Sequence, residues 1–497
     1  MAAIYRRNDL CYSDKNYLND QDKNVKALMS KPDWQPDTPL YLQLYQRYRE
    51  AITSGRLRPG DRVPSIRNLA SELHVARGTV EMAYQMLVSE GYLVTKGAAG
   101  TRVSPQLARL PNVGNPSQRR KTAATQPYQA RLTGTILPFQ PGVPALDAFP
   151  RKIWSRLAGQ TLRMIETTVM NQPDPAGYAP LREAIATYLG ISRGIACTPE
   201  QVFITIGYQG ALELLCRTVL QAGDGGWYEN PGYFPGRYFL QQMGMTLTPV
   251  PVDNEGLQVA TGEQRAPNAR FAVVTPSHQS PTGVALSLPR RLALLAWANQ
   301  KDAWIIEDDY DSEFRYHGHP LPALKSLDHE QRVLYTGTFS KVLFPGLRLA
   351  YLVVPPSLQS TFHEAVNRWP GPGSILPQAM VAAFMQEGHF ARHLRKMRQL
   401  YAVRRGYLVD ALERVFGSSL HIQPQAGGIQ VLVYLNEHQS DKALAMAAQA
   451  AGLGVKALSE WDAGTPPQNG LLMGFTNFTR AEEAQAAVKR LSALLSS

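Results

Sequence analysis

Cysteine is scarce in this sequence, and long apolar runs are missing from it. The three cysteines, Cys11, Cys197 and Cys216, are odd in number and lie far apart, so we expect reduced thiols and neither a disulfide framework nor a metal site. No apolar stretch approaches the length of a membrane-spanning helix. Residues 1–20 lack the apolar centre of a secretory signal, which predicts a cytoplasmic protein without a membrane partner.

Acidic residues are also in the minority. The sequence has 51 lysines and arginines against 40 aspartates and glutamates, a formal net charge of +11 at pH 7. Such a balance permits contact with the phosphates of a nucleic acid, although many basic proteins bind none. With 497 residues, the chain is too long for one hydrophobic core, so we expect two or three domains.

Composition divides the chain into four segments. Residues 1–33 are polar and lack a helix or strand period, so we expect a flexible extension there. Residues 34–104 form a compact pattern, whereas 105–135 are rich in Pro, Gln, Ser and Thr. This predicted linker either follows DNA phosphates or only joins its neighbours, residues 34–104 and 136–497. It contains no acid, and its basic residues are Arg109, Arg119, Arg120, Lys121 and Arg131.

The compact segment has the pattern of a winged helix-turn-helix domain. Leu40, Leu44, Tyr48 and Ile52 lie four apart, on one face of a predicted first helix. The Pro/Gly turn RLRPGDRVPS precedes a second helix that Ser65 can cap, and ARGTVEMAYQMLVSEG predicts a third. The end, YLVTKGAAGTRV, alternates as two short strands around a Gly-rich tip. This order of elements is typical of a winged helix-turn-helix.

The third helix of this domain is predicted to enter the major groove of DNA. The first turn of such a helix points at base edges and phosphates, where Arg can pair with guanine and Thr can contact a phosphate or a thymine methyl. The preceding turn and helix can contact the DNA backbone, and so can the wing. The predicted DNA-binding residues are Arg62, Ser65, Arg67, Arg77, Gly78, Thr79, Lys96 and Thr101. A winged helix used for protein contacts is the alternative.

This domain resembles the GntR family of bacterial regulators. The resemblance runs through PLYLQLYQRYREAITSGRLRPGDRVPSIRNLASELHVARGTVEMAYQMLVSEGYLVTKGAAGTRV. It implies a bacterial protein that binds double-stranded DNA at paired half-sites. Ala76 stands where the family usually has Ser. If that serine caps the third helix, its loss would cost about 1 kcal/mol, unless another residue caps the helix instead.

The last segment, residues 136–497, alternates short apolar strands with amphipathic helices. QVFITIG, RFAVVTP, AWIIEDDY, RVLYTGTFS and LRLAYLVVP are predicted strands, and ALELLCRTVLQAG and LPRRLALLAWANQ are predicted helices. This alternation indicates an α/β domain with a mixed, mostly parallel sheet. From about residue 375 the pattern becomes more helical, with a few strands such as GIQVLVYL, and predicts a smaller α+β subdomain.

Reactive and polar residues follow several of these predicted strands. GTFSKVLFPGLRLAY supplies a lysine, hydroxyls and an arginine, and IIEDDYDSEFRY supplies acids at a strand end, where ligands of α/β proteins bind. ITIGYQGALELL is a strand, a turn and a helix start whose free amides suit a phosphate. ENPGYFPGRY adds a tyrosine, and VTPSHQSPTG adds a further turn. Singly these signals are weak, since a lysine after a strand is usually a surface residue and EDDY is compatible with a metal site or a solvated loop.

Together they match the needs of a pyridoxal 5'-phosphate (PLP) site. Such a site requires a lysine for the aldehyde, a carboxylate for the pyridine nitrogen, donors for the phosphate and an aromatic cover for the ring. In this order the segments resemble fold-type I PLP enzymes, the aspartate aminotransferase superfamily. With a GntR-type domain in front, the whole resembles the MocR/GabR subfamily of regulators. The implied fold class is therefore α/β, with a winged helix-turn-helix before an aminotransferase-like domain.

The resemblance assigns a role to individual residues. It implies that Lys341 forms the internal aldimine with PLP, that Asp308 pairs with the pyridine nitrogen and that Tyr310 bonds the ring hydroxyl. Tyr233 would stack on the ring. The remaining implied contacts are Gln209, Gly210, Thr338, Ser340 and Arg348 at the phosphate, with His278 and Ser280 at the ring edge.

The sequence also departs from aminotransferases at positions that bear on mechanism. Ser280 replaces the usual Asn that bonds the ring hydroxyl, and GLLMGFTNF lacks the arginine that would grip a substrate carboxylate. Pro235 stands where a γ-aminobutyrate-responsive regulator has a further arginine. These departures favour PLP itself as the signal over an amino acid held by its carboxylate.

The function predicted is therefore regulation of transcription by a PLP-dependent, DNA-binding homodimer. The effector is predicted to be PLP or an amine or amino acid, and the regulated genes to serve vitamin B6 or amino-compound metabolism. Two alternatives stay open. One is a working aminotransferase with an accessory winged helix, and the other is a repressor whose PLP fold is only a dimerisation scaffold. The predicted location is the bacterial cytoplasm, with nucleoid association when the protein is bound to DNA.

Overall fold

A computed structural model of the chain describes residues 28, 30, 34–36, 38–97, 100–109, 135–316, 318, 321–368, 373–436, 439–464 and 467–495. Its contacts form two compact units, which divide at about residue 130. Most of the predicted extension at 1–33 and of the predicted linker at 105–135 lies outside the described residues. So do four of the basic linker residues, Arg119, Arg120, Lys121 and Arg131. Within the described ranges, no helix combines the length and apolarity that a membrane crossing requires.

The first unit contains three helices and a two-stranded hairpin. Its elements are α1 (Leu40–Thr53), α2 (Ile66–Leu73), α3 (Arg77–Ser89), β1 (Leu93–Thr95) and β2 (Thr101–Val103). The strands pair antiparallel, with Leu93 opposite Val103. Leu44, Tyr48 and Ile52 are buried as the spacing predicts, and the Tyr48 ring meets the Tyr84 ring of α3 edge-on.

One member of the predicted apolar stripe is not part of this core. Leu40 is an exposed side chain, because it is the first residue of α1 and lies at the edge of the packed face. The second helix begins as predicted, since Ser65 is its N-cap and accepts a hydrogen bond from the Asn68 amide at 3.3 Å. Ser65 is therefore already engaged in the fold.

The third helix begins without a side-chain cap. Ala76 occupies the N-cap position with extended dihedral angles, and it has no oxygen that could accept from the first amides of the helix. We expect Ala76→Ser to raise the free energy of unfolding by about 1 kcal/mol, because the new hydroxyl would bond one of these amides. Urea unfolding of the two proteins measures the difference, and Ala76→Val, which adds bulk but no acceptor, is the control. An equal gain in the valine variant would contradict the capping account.

The second unit is built around an eight-stranded sheet. Its order is β3-β10-β9-β8-β7-β4-β5-β6, and the neighbours β9-β8-β7-β4-β5 are parallel, whereas β10 is antiparallel to both β3 and β9. The sheet is therefore mixed and mostly parallel, as predicted. The strands are β3 (Val202–Thr205), β4 (Gly225–Asn230), β5 (Thr246–Asp253), β6 (Gly256–Leu257), β7 (Phe271–Val274), β8 (Trp304–Asp309), β9 (Val333–Thr338) and β10 (Ala350–Val353).

Helices connect and cover these strands, and the central parallel strands β7, β8 and β9 are buried on both faces. Because β4, β7, β8 and β9 run in the same direction, the segments that follow them meet at one edge of the sheet. The helices that precede or connect the strands are α4 (Arg151–Met164), α5 (Thr167–Asn171), α6 (Ala179–Arg193), α7 (Gly207–Thr218), α8 (Phe234–Gln242), α9 (Val259–Arg265) and α10 (Leu288–Lys301).

The C-terminal part forms a smaller α+β layer, again as predicted. Its four-stranded antiparallel sheet has the order β11-β12-β14-β13, with strands His421–Ile422 (β11), Gln430–Tyr434 (β12), Lys456–Ala457 (β13) and Gly470–Gly474 (β14). One sheet face packs on long helices, and the other includes Leu432 and Leu472, which pair across β12 and β14. The helices are α11 (Gln359–Arg368), α12 (Ile375–Gln386), α13 (His389–Phe416), α14 (Asp441–Ala450) and α15 (Ala481–Leu495).

Candidate functional site

A lysine amine lies in the second unit just beyond the end of β9. The Lys341 Nζ donates a hydrogen bond to the Gly142 carbonyl oxygen at 2.8 Å. Gly142 has φ +75°, and a Cβ at this position would lie 2.6 Å from Nζ, so only glycine leaves room for the amine. Burial lowers the pKa of Lys341, and the carboxylates of Asp311 and Asp308 partly oppose that shift. A lowered pKa increases the share of neutral amine, the form that attacks a carbonyl.

Two successive acids end β8 and point to opposite sides of the sheet. Asp309 forms an ion pair with Arg193 at 2.7 Å and accepts a hydrogen bond from the Tyr335 hydroxyl at 2.6 Å. Within the described ranges, Asp308 forms no ion pair of this kind, and the residue is 8% exposed. Burial, helped by the neighbouring Asp309, raises the pKa of Asp308 to about 8. A ligand that presents an N–H cation to Asp308 would therefore restore its ionised form.

Polar side chains from the segments after β7 and β8 adjoin these acids. The Tyr310 hydroxyl lies 3.1 Å from His278 Nδ1, and the same nitrogen lies 2.9 Å from Asp311 Oδ1. Ser280 lies near enough to Tyr310 to lower the pKa of its hydroxyl slightly, although burial raises that pKa overall. His278, Asp311 and Ser280 are all buried, which limits competition from water.

An aromatic side chain begins the helix α8. Tyr233 is the N-cap residue, and its ring centroid lies 6.1 Å from that of Tyr208 and 5.6 Å from that of Trp461. Burial and the charge of Asp308 raise the pKa of Tyr233 to about 12, and the Arg348 cation partly opposes the shift. Tyr233 is therefore within electrostatic reach of both Asp308 and Arg348.

The N-terminus of α7 faces the Arg348 guanidinium. A Cβ at Gly207, which has φ +70°, would lie 3.4 Å from the guanidinium carbon of Arg348. Gln209 and Gly210 belong to the first turn of this 12-residue helix, whose free amides and dipole attract anions. At the end of β9, shortly before Lys341, the Thr338 hydroxyl accepts a hydrogen bond from the Ser340 amide at 3.1 Å. The arrangement suits a phosphate group.

A buried carboxyl group that the sequence did not single out supports the same edge of the sheet. Glu229, at the end of β4, accepts hydrogen bonds from the Thr275 amide at 3.1 Å, from the Thr275 hydroxyl at 2.5 Å and from Gln279 Nε2 at 3.1 Å. It thereby ties the turn after β7, which contains His278, to the end of β4. Burial raises the pKa of Glu229 from 4.5 to about 7, although the three hydrogen bonds lower it.

This shift predicts a pH dependence of stability. The folded protein holds the Glu229 proton while the unfolded chain releases it, so the contribution is fully present below pH 4.5 and is lost as the pH rises to about 7. We expect Glu229→Gln to flatten the fall in urea midpoint between about pH 5 and about pH 8. A variant with the parent's slope would show that another group titrates. Glu255→Gln, at an exposed glutamate, serves as the control.

Other contributors also escaped prediction. Gly142 follows a proline, and this pair predicts a turn but not the contact with Lys341. Arg193 ends α6, far along the chain from its partner Asp309. Asp311 was present in the acidic motif but was not distinguished from its neighbours. The structure thus brings Lys341 and Asp308 together with residues that no local pattern connects to them.

The predicted DNA-binding residues all lie at the surface of the first unit. Thr79 and Thr101 are half-buried, and the Arg62 guanidinium lies 3.3 Å from where a Cβ of Gly100 in the wing would be. Arg77 and Gly78 form the exposed first turn of α3, as expected for a helix that reads a groove. The exposed members of the set are Arg62, Ser65, Arg67, Arg77, Gly78 and Lys96.

Comparison with known proteins identifies both units. Residues 152–461 match the family described as aminotransferase class I and II, and residues 40–103 match the bacterial regulatory proteins of the gntR family. The probable rhizopine catabolism regulatory protein MocR of Rhizobium meliloti is 38% identical over 89% of this chain and 91% of its own. The pyridoxine biosynthesis transcriptional regulator PdxR of Corynebacterium glutamicum is 34% identical, over 88% and 92%.

Solved structures resemble the second unit. The α-aminoadipate aminotransferase LysN of Thermus thermophilus, complexed with N-(5'-phosphopyridoxyl)-L-leucine, is 30% identical with a TM-score of 0.65, over 73% of this chain and 93% of that chain. An archaeal alanine:glyoxylate aminotransferase is 27% identical with a TM-score of 0.67, over 72% and 90%. Since both family models match this chain and these regulators align with about nine tenths of it, the chain belongs to the MocR-type subfamily of GntR transcription regulators, DNA-binding proteins with an aminotransferase class I and II domain.

Proposed function

We propose that this regulator binds PLP in its second unit and controls transcription according to the state of that site. The observation that supports PLP most strongly is that Lys341, an amine of lowered pKa, lies within electrostatic reach of Asp308, a buried acid of raised pKa. Lys341 is the amine that would bond the PLP aldehyde. Asp308 would pair with the protonated pyridine nitrogen, whose positive charge would stabilise the ionised carboxylate.

The remaining predicted residues fit the rest of the molecule. Tyr310 would donate to the ring hydroxyl, with His278 and Ser280 beside it, and Tyr233 would cover the ring face. When bound, PLP supplies an aldehyde that exchanges reversibly between amines and a ring that withdraws electrons. The phosphate would be held at the start of α7 and beside it, by Gln209, Gly210, Thr338, Ser340 and Arg348.

The effector is proposed to be PLP itself, with an amine or amino acid as the other candidate. β14 contains no basic residue, and Leu472 is fully buried against Leu432, Leu458 and Trp461, which adjoin Tyr233. An apolar, filled surface here supports a signal that needs no carboxylate clamp. The names of two relatives, which concern pyridoxine biosynthesis and rhizopine catabolism, support target genes of vitamin B6 or amino-compound metabolism.

The proposed regulator acts as a homodimer on paired half-sites, in the bacterial cytoplasm and at the nucleoid when DNA-bound. The domain limits are proposed to be 34–104 and 136–497, with a flexible extension at 1–33 and a linker at 105–135. The division of the structure at about residue 130 supports these limits. Binding of an effector can change DNA affinity only if its affinity differs between the states of the protein.

Absorption spectroscopy tests this function and separates it from that of an aminotransferase. Apo protein is titrated with PLP, and a visible band is expected. A panel of amines and amino acids is then added with and without an acceptor keto acid. Perturbation of the band without sustained keto-acid conversion is expected of a sensor, whereas continued conversion would favour the enzyme. A parent protein that shows no band after PLP is supplied would contradict the proposal.

A further inference from the structure

His278 Nδ1 faces two polar neighbours but can either donate or accept a hydrogen bond, not both. It lies 2.9 Å from Asp311 Oδ1 and 3.1 Å from the Tyr310 hydroxyl. A neutral imidazole nitrogen either holds one hydrogen or offers one lone pair, and an ionised carboxylate only accepts. The short contact with Asp311 therefore requires a hydrogen on Nδ1. With this hydrogen in place, the Tyr310 oxygen can accept from His278 but cannot donate to it.

The surroundings of the other ring nitrogen favour the same tautomer. His278 Nε2 is buried and has no hydrogen-bond partner among the described residues. It belongs to a small cavity that Arg193 and Arg315 also line, and the Nε atoms of both arginines are likewise unpartnered within the described ranges. Asp311 Oδ2 and Ser312 Oγ line the same cavity and are also unpartnered within those ranges. Because guanidinium groups only donate, the two arginines favour an Nε2 that accepts. The ring is fixed in place, because a Cβ at Gly428 would lie 2.2 Å from its Cε1.

Tyr310 must then direct its hydrogen elsewhere. The available directions are the neighbouring Ser280 hydroxyl and the site in which Lys341 and Asp308 lie. Asp311 is 1% exposed, so its pairing with His278 competes with little water. Among the described residues, the charged or titratable groups near the imidazole include Asp311, the two cavity arginines and Tyr310. The charges of Lys341 and Asp308 in turn act on Asp311.

We propose that Asp311 is a positioning residue that fixes the His278 tautomer and thereby directs the Tyr310 hydroxyl hydrogen toward bound PLP. The inference rests on the proposed function, because it assigns Tyr310 as a donor to the ring oxygen. A hydrogen bond donated to that oxygen stabilises its anionic form. It therefore lowers the pH midpoint of the visible band and strengthens PLP binding.

A double-mutant cycle tests this role. In the PLP-loaded full chain, Tyr310→Phe is expected to raise the pH midpoint of the visible band by about one unit and to weaken PLP binding about tenfold. Asp311→Asn alone should raise the midpoint in the same direction. In the Tyr310→Phe background, Asp311→Asn should add almost nothing, since its effect passes through the tyrosine. An equal shift in both backgrounds, or no shift in either, would overturn the proposal.

Two further variants and one control keep the test independent of folding defects. His278→Asn places an N–H near Nδ1 and should retain most of the parent midpoint, whereas His278→Phe should shift it as Tyr310→Phe does. Equal midpoints in the asparagine and phenylalanine variants would also overturn the proposal. Asp302→Asn removes a carboxylate that is 70% exposed and pairs with Arg332, and should leave the midpoint unchanged. If the parent shows no band, the proposed function itself fails, an outcome distinct from unshifted variants.

Discussion

Lys341→Ala is expected to abolish covalent attachment of PLP to the protein. Its Nζ is the amine found beside Gly142 and within electrostatic reach of Asp308 and Asp311. After borohydride reduction, mass analysis of peptides should find the pyridoxyl label on Lys341 in the parent and no label in the variant. The expected effect is all-or-none, because alanine has no amine that could bond the aldehyde.

Lys301→Ala is the matched control for this loss. Lys301 is the exposed last residue of α10, so its removal should leave the label unchanged. A label that persists in Lys341→Ala at parent level would contradict the assignment of the reactive lysine. The urea midpoint of the variant checks that it still folds. We expect little change, because Lys341 is half-buried and lies outside the strands.

Arg77→Ala should weaken specific DNA binding about 10- to 100-fold, the equivalent of one lost bidentate contact to a base. Arg77 is the exposed first residue of α3, the helix expected to read the major groove. Affinity is measured by fluorescence anisotropy on a fragment that the parent selects from genomic DNA, at fixed salt concentration. Competitor DNA of unrelated sequence distinguishes loss of base reading from loss of phosphate attraction.

Arg151→Ala provides the control for charge. Arg151 is an exposed arginine at the start of α4 in the second unit, so its removal takes away one positive charge without touching the first unit. We expect little change in specific affinity. If Arg151→Ala and Arg77→Ala weakened binding equally, net charge would explain the result and the base-contact assignment would be wrong.

Much of the fold could be predicted because its signals are local. The apolar runs before Asp308 and Thr338 are strands β8 and β9, and the helix after Ala76 begins at Arg77. Ser65 caps α2 as its residue type favours. Periodicity and turn residues act over a few positions, so they identify elements well even without a partner. The exposure of Leu40 shows what periodicity does not predict, because an apolar residue at the end of a helix can lie outside the core.

The connections within the candidate site could not be predicted, because they join distant parts of the chain. Lys341 bonds a glycine 199 positions away, and His278 meets Asp311 across 33 positions. No sequence period encodes such contacts, which depend on strand order. The insertion of the antiparallel β10 between β3 and β9 is a further feature that alternation of strands and helices did not indicate.

The central claim is that the PLP site controls DNA binding, and the most direct test is the DNA affinity of the apo protein with and without PLP. The account predicts that PLP changes the affinity of the parent by about 5-fold or more, a typical coupling between two sites. In Lys341→Ala the same addition should change little. A parent that shows the visible band but binds DNA equally with and without PLP would contradict the account and leave the second unit a scaffold.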